Sequence, residues 1–235
     1  VKCKVSKQVK GRILRATVSQ NPSGKYFVSI CCTDVEIKQL ETTVAEITKA
    51  KVDFSGTELE LMKENMVQLV TLGEEYGYRF SEITTTGAKK YLGEVTRKGR
   101  SGDIVTMQYP KAYYKSRQSL LSALRESSSN GDMPRIPGRS VSIYTTTHEF
   151  AHTLSEELTS RLYGYGKELD FWDEIETVYT AYKQSNETVL GKYARKNQNE
   201  FLAEAFAYGK LGNQHSEYAD RVIEIVDKYF KRGKA

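Results

Sequence analysis

Long apolar runs are missing from the 235-residue sequence, and no apolar block stands behind its basic N-terminus. A spanning helix needs roughly 18 consecutive apolar residues, and a secretory leader needs a shorter apolar core after its basic residues. The sequence is therefore expected to be neither a membrane protein nor a Sec-exported precursor, which points to the cytoplasm. Cysteine is scarce, with only Cys3, Cys31 and Cys32. The adjacent pair would face opposite sides of a strand, no CxxC spacing occurs, and an odd count argues against a disulfide framework. The three read as reduced thiols. Histidine is equally scarce: all three fall in the last 90 residues. No internal repeat is visible.

What is present describes a globular chain, 39% hydrophobic and 28% charged with a mean hydropathy of −0.56. Its length suits one fair-sized domain or two small ones. The net charge of +5 is unevenly placed. Residues 1–43 hold eight Lys/Arg against three Asp/Glu, and residues 44–235 hold 27 of each sign. A basic balance usually suggests an acidic partner such as nucleic acid. Here it belongs to the first 43 residues alone, so the domain boundary is expected near residue 43.

Residues 11–35 predict a β-hairpin, with Asn21-Pro22-Ser23-Gly24 as its turn. Leu59, Leu61, Met62, Met66, Leu69, Val70 and Leu72 recur at helical spacing, with stops at Gly73 or Gly77. Strands are expected at Tyr78–Ile83 and Ile104–Tyr109, separated by a loop at Gly99–Gly102. A short helix over Ser116–Arg125 and a loop over Ser127–Gly138 follow. Beyond Ser140 the pattern is helical over 145–162, 167–186, 197–211 and 215–231. Few strands followed by many helices predicts an α+β fold rather than a doubly wound sheet.

His148-Glu149-Phe150-Ala151-His152 is an HExxH sequence. Residues four apart share a helix face, so His148 and His152 can hold one Zn²⁺, while Glu149 beside them can take a proton from water. Thr145, Thr146 and Thr147 offer N-caps, and Phe150, Ala151, Leu154 and Leu158 give an apolar flank. A catalytic zinc needs a third protein ligand. His215 lacks the spacing of the HExxHxxGxxH class and reads as a surface residue. Glu200 and Glu204, on one face of Asn199-Glu200-Phe201-Leu202-Ala203-Glu204-Ala205-Phe206, are better candidates. One would bind the metal and the other would orient a ligand imidazole.

HEFAH followed by NEFLAEAFAY resembles the anthrax lethal-factor-like metallopeptidases, where HEFGH precedes an EFFAEAF helix by some 45 residues. Related sequences occur in Pro-Pro endopeptidases and prophage proteins. The resemblance covers residues 100–230 and implies a zincin-like fold over 44–235. It further implies zinc bound by His148, His152 and Glu200, with Glu149 as general base and Glu204 in support. A tyrosine seven residues before the ligand glutamate can donate to the oxyanion in that family, and Tyr193 stands seven before Glu200. Ala151 replaces a frequent family glycine.

GRILRATVSQNPSGKYFVSICCTDVEI resembles the segment before the nuclease core of OrfB/TnpB-type insertion-sequence transposases. The aspartate-bearing strand that should follow is absent, so the nuclease activity is not implied. Residues 1–43 read as a fusion scar or appendage.

The expected function is zinc-dependent peptide hydrolysis by a metallopeptidase of prophage or mobile-element origin. Its partner would be a peptide or protein, added as a β-strand along the Ile104–Tyr109 edge, with the phage particle or the exterior as other locations. Two alternatives stand beside it. One is a nucleic-acid-binding transposase remnant in which Tyr26 and Phe27 stack on bases. The other is a phage structural protein keeping a vestigial site.

Overall fold

The computed structural model describes residues 2–9, 12–20, 26–31, 37–98, 104–161 and 167–231, with the side chains of residues 2–31, 139 and 155–168 left aside. The expected turn at 21–24, the loop at 99–102, Cys32 and the Tyr26 and Phe27 side chains lie outside that description. In chain order the N-terminal strands are β1 (Lys2–Val9), β2 (Arg12–Gln20) and β3 (Tyr26–Cys31). They form an antiparallel sheet in the order β1-β2-β3, with Val18 opposite Val28 at the centre of the β2–β3 ladder. The expected hairpin is thus the β2–β3 half of a three-stranded sheet.

Helix α1 (Ile37–Thr48) follows and runs unbroken across residue 43. Leu40, Val44 and Thr48 recur every four residues on its buried face. Buried Glu41 accepts the Phe54 N–H at 2.8 Å, which ties the helix to the end of the short strand β4 (Lys51–Asp53).

Helix α2 (Leu59–Tyr76) carries the predicted apolar face. It passes through Gly73, where the Tyr78 ring occupies the space a side chain would need, and ends at Gly77, whose φ of 99° suits glycine. Strand β5 (Glu82–Thr86) begins four residues later than the expected Tyr78 start. Two further strands are β6 (Glu94–Lys98), which the sequence pattern does not predict, and β7 (Ile104–Pro110). The sheet order is β4-β5-β7-β6, parallel from β4 through β7 and antiparallel at β6.

This order corrects the expectation for Ile104–Tyr109. The strand is interior, hydrogen-bonded on both sides, and Thr106, Met107, Tyr109 and Pro110 are buried. The edges are β4 and β6. A substrate strand therefore cannot add along β7.

Helices α3 (Lys111–Tyr114) and α4 (Arg117–Ser129) come next, the latter capped by Ser116, whose side chain accepts the Ser119 N–H. A 3₁₀ turn over Gly138–Ile143 leads directly into α5 (Tyr144–Arg161). Helix α6 (Lys167–Gln184), α7 (Gln198–Leu211) and α8 (Glu217–Phe230) complete the chain. Asn197 and Ser216 cap the last two through the Glu200 and Ala219 amides. The architecture is α+β. No described helix is long and apolar enough to cross a membrane.

The core is aromatic where these helices meet. Phe150 on α5 faces Tyr76 and Phe80, with ring centroids at 6.5 and 6.2 Å, and Tyr76 meets Phe206 of α7 edge-on at 5.7 Å. Such tilted contacts suit the ring quadrupoles. They fix α5 against α2 on one side and α7 on the other.

Candidate metal centre

The HExxH segment sits within the first three turns of α5, and its apolar and polar residues divide by helical spacing. Phe150, Ala151 and Leu154 are fully buried in the core. His148 and His152 project together on another face, with ring centroids 4.9 Å apart. The three threonines before them are not caps, because the helix already extends through them. They point inward instead. Thr146 Oγ1 donates to Asn65 Oδ1 and shares a hydrogen bond with Tyr109 at 3.1 Å, while Thr147 Oγ1 receives Gln68 Nε2 at 3.0 Å. Buried polar groups paired in this way hold the helix in one register.

Helix α7 lies along α5. Its buried alanines, Ala203, Ala205 and Ala207, and Ala151 opposite keep the helix surfaces shallow. Asn197 Oδ1 accepts the Glu200 N–H at 2.9 Å, so the glutamate is anchored in a capped first turn. Glu200 Oε2 then lies 3.4 Å from His148 Nε2 and 3.4 Å from His152 Nε2, and the two nitrogens are 3.2 Å apart.

That triangle fits a metal. Donors at zinc-like bond lengths of about 2.0–2.1 Å in tetrahedral arrangement stand roughly 3.3 Å from one another. Glu200 Oε2 is buried and makes no hydrogen bond of good geometry. A buried carboxylate oxygen of that kind calls for a cation. Among the described residues, His148, His152 and Glu200 are the group of His, Cys, Asp and Glu side chains placed to hold a metal ion.

The field around the triangle also favours a cation. Burial pulls the His148 imidazole down, yet the neighbouring Glu200 and Glu204 carboxylates override it and hold His148 above its ordinary range. Burial pushes Glu200 up, and the two imidazoles outweigh it and hold Glu200 well below the usual carboxylate range. Burial raises Glu149 against the opposing pull of His148 and His152.

Glu204, one turn beyond Glu200, faces the far side of His148, with Oε1 3.3 Å from Nδ1. Glu149 points toward the sheet, where its Oε2 accepts the Val95 N–H of β6 at 3.0 Å. Tyr193 opens a 3₁₀ turn (Tyr193–Arg195), its ring 6.3 Å from that of His148. Arg195 fastens this turn by donating to the carbonyls of Lys183, Ser185 and Glu187. All six residues singled out in the sequence converge here. His215 stands apart on the surface, 2.9 Å from Asp220.

Three neighbours escape a reading of the motif alone. Tyr144, one turn before His148, donates to Glu204 Oε2. Lys196, one turn before Glu200, donates to the Tyr193 hydroxyl at 3.1 Å and lies 3.7 Å from Glu200 Oε1. Gly93 brings the chain entering β6 against Thr145 and Glu149. The first two stand at i−4 from a ligand, a spacing visible in the sequence; the third carries no local signal.

Comparison with protein families, with curated proteins and with solved structures returns no match.

Proposed function

We propose that the chain is a zinc-dependent peptidase of the lethal-factor-like kind, with His148, His152 and Glu200 as metal ligands. The donor triangle closed by the orphaned Glu200 oxygen is the observation that carries this reading. When bound, zinc supplies Lewis acidity that brings a water near pKa 7 and polarises a carbonyl oxygen.

The chain's own groups perform the remaining tasks. Glu149, buried beside both imidazoles, accepts a proton from the attacking water and passes it to the amine as the C–N bond breaks. The Tyr193 hydroxyl donates to the oxyanion as charge develops there. Lys196 occupies a lone pair on that phenol, leaving the hydroxyl proton for the substrate. Glu204, whose Oε1 stands 3.3 Å from the otherwise unpartnered His148 Nδ1, is placed to take the Nδ1 proton and so leave Nε2 for the metal. An extended peptide would add along the β6 edge, beside Glu149.

Glu149→Gln tests the reading. The variant should keep one zinc per chain and the parent's melting behaviour while losing at least about a hundredfold in cleavage of a peptide library. Equal cleavage by parent and variant would refute the peptidase assignment.

A further inference from the structure

The fixed orientation of Glu204 needs an explanation. A carboxylate on a helix has several rotamers, and two buried oxygens must both find donors. Glu204 is 2% exposed, and its two oxygens face different residues of one helix. Oε1 lies 3.3 Å from His148 Nδ1, and Oε2 receives the Tyr144 hydroxyl. Tyr144 and His148 are four residues apart on α5, with ring centroids 6.1 Å apart. Tyr144 is itself 4% exposed, so water cannot readily take its place as donor.

We infer that Tyr144 is a positioning residue for the metal site, acting through Glu204: it clamps the carboxylate that fixes the His148 ring and tautomer. This rests on the metal-centre reading above and extends it to a residue outside the HExxH sequence and the Glu200–Glu204 pair. The chain of contacts runs from Tyr144 Oη to Glu204 Oε2, and from Glu204 Oε1 to His148 Nδ1. His148 Nε2 then faces the triangle. With the phenol in place Oε2 is engaged and Oε1 is held 3.3 Å from His148 Nδ1, a buried nitrogen with no hydrogen bond of its own. Without it, Oε2 is buried and unpaired, and Glu204 gains by turning away from the imidazole. The ring then loses the partner that holds its lone pair toward the metal.

Zinc affinity of the full chain, measured by competition with a chromophoric chelator, tests this without reference to catalysis. Tyr144→Phe removes one oxygen and keeps the ring, so its packing survives. It should weaken zinc binding by about tenfold, the lower end of the range for groups that support a ligand. In the Glu204→Met background, where neither oxygen exists, Tyr144→Phe should add no further loss. A double-mutant cycle of this form separates action through Glu204 from general loosening of α5. Unchanged affinity in Tyr144→Phe, or an equal loss in both backgrounds, would overturn the inference. Should Glu204→Met not fold, the visible absorption of cobalt bound to the Tyr144→Phe protein replaces the cycle. Shifted bands support the clamp, and bands identical to the parent's overturn it. A parent chain that binds no zinc overturns the metal reading and the clamp together.

Discussion

The Val95 amide donates to Glu149 Oε2 at 3.0 Å, joining the edge strand β6 to helix α5 across 54 residues of sequence. In an antiparallel ladder successive residues point their N–H and C=O groups to alternate sides. An amide spent on Glu149 points away from β7, so this edge of β6 looks toward α5. The proposed general base and the proposed substrate edge therefore form one unit.

Gly93 controls the spacing of that unit. A Cβ there would stand 2.5 Å from Thr145 Cγ2 and 3.1 Å from Glu149 Cγ. Gly93→Ala should push β6 and Glu149 apart, at a cost of about 1–3 kcal/mol in stability. Cleavage should fall by about tenfold or more, because small displacements of a reacting group are expensive. Zinc content should not change, since none of the three ligands touches the methyl. Metal analysis beside steady-state kinetics checks both halves.

The caps of α7 and α8 provide a matched pair. Asn197→Ala and Ser216→Ala each remove a side-chain acceptor from a helix start, worth about 1 kcal/mol. Only the first bears on Glu200. Both variants should lose comparable stability to urea, while Asn197→Ala alone weakens zinc binding in a chelator competition.

Zinc should also stabilise the fold. A ligand present at about a hundred times its Kd adds roughly 2.7 kcal/mol, which for a chain of this size means about 5–10 °C in melting temperature. Chelation should lower the melting temperature of the parent by that amount and leave His148→Ala unmoved. Calorimetry with and without chelator provides the comparison.

Acid sensitivity has a separate source, remote from the metal ligands. Burial raises Asp227, and hydrogen bonds from Lys231 at 2.5 Å and Tyr76 at 2.6 Å outweigh it, so Asp227 sits below its ordinary 3.8. A depressed carboxylate pKa contributes stability that is fully present above the unfolded value and lost as pH falls through the folded one. Asp227→Asn should therefore lower the urea midpoint at pH 6, with the gap to the parent closing as pH drops below about 4.

The helical half of the molecule was legible in the sequence because its signals are local. The four-residue spacing of His148 and His152, the helical pattern over 197–211 and the apolar face of α2 are each set by residues a few positions apart. The sheet was less so. Strand β6 reads Glu-Val-Thr-Arg-Lys, with one apolar residue, and its pairing is fixed by β7 and by Glu149 rather than by its own composition. Position within a sheet is likewise not written locally, which is why β7 reads as an edge until its two partners are seen. The threonines before His148 have good capping chemistry, but the 3₁₀ turn over Gly138–Ile143 starts the helical course earlier and frees them to bond inward. Helix α1 did leave a signal in Leu40, Val44 and Thr48, although the charge boundary at residue 43 masks it.

Two of the three donors sit on α5 and the third on α7, with all of α6 between them. Helix α5 by itself offers a cation only two imidazoles, whatever its helicity. The triangle closes when α7 docks, which is a tertiary event spanning some 50 residues and slower than helix formation. Any metal bound by all three donors must therefore wait for α7 to dock, and a chain still emerging from the ribosome without residue 200 lacks the third donor.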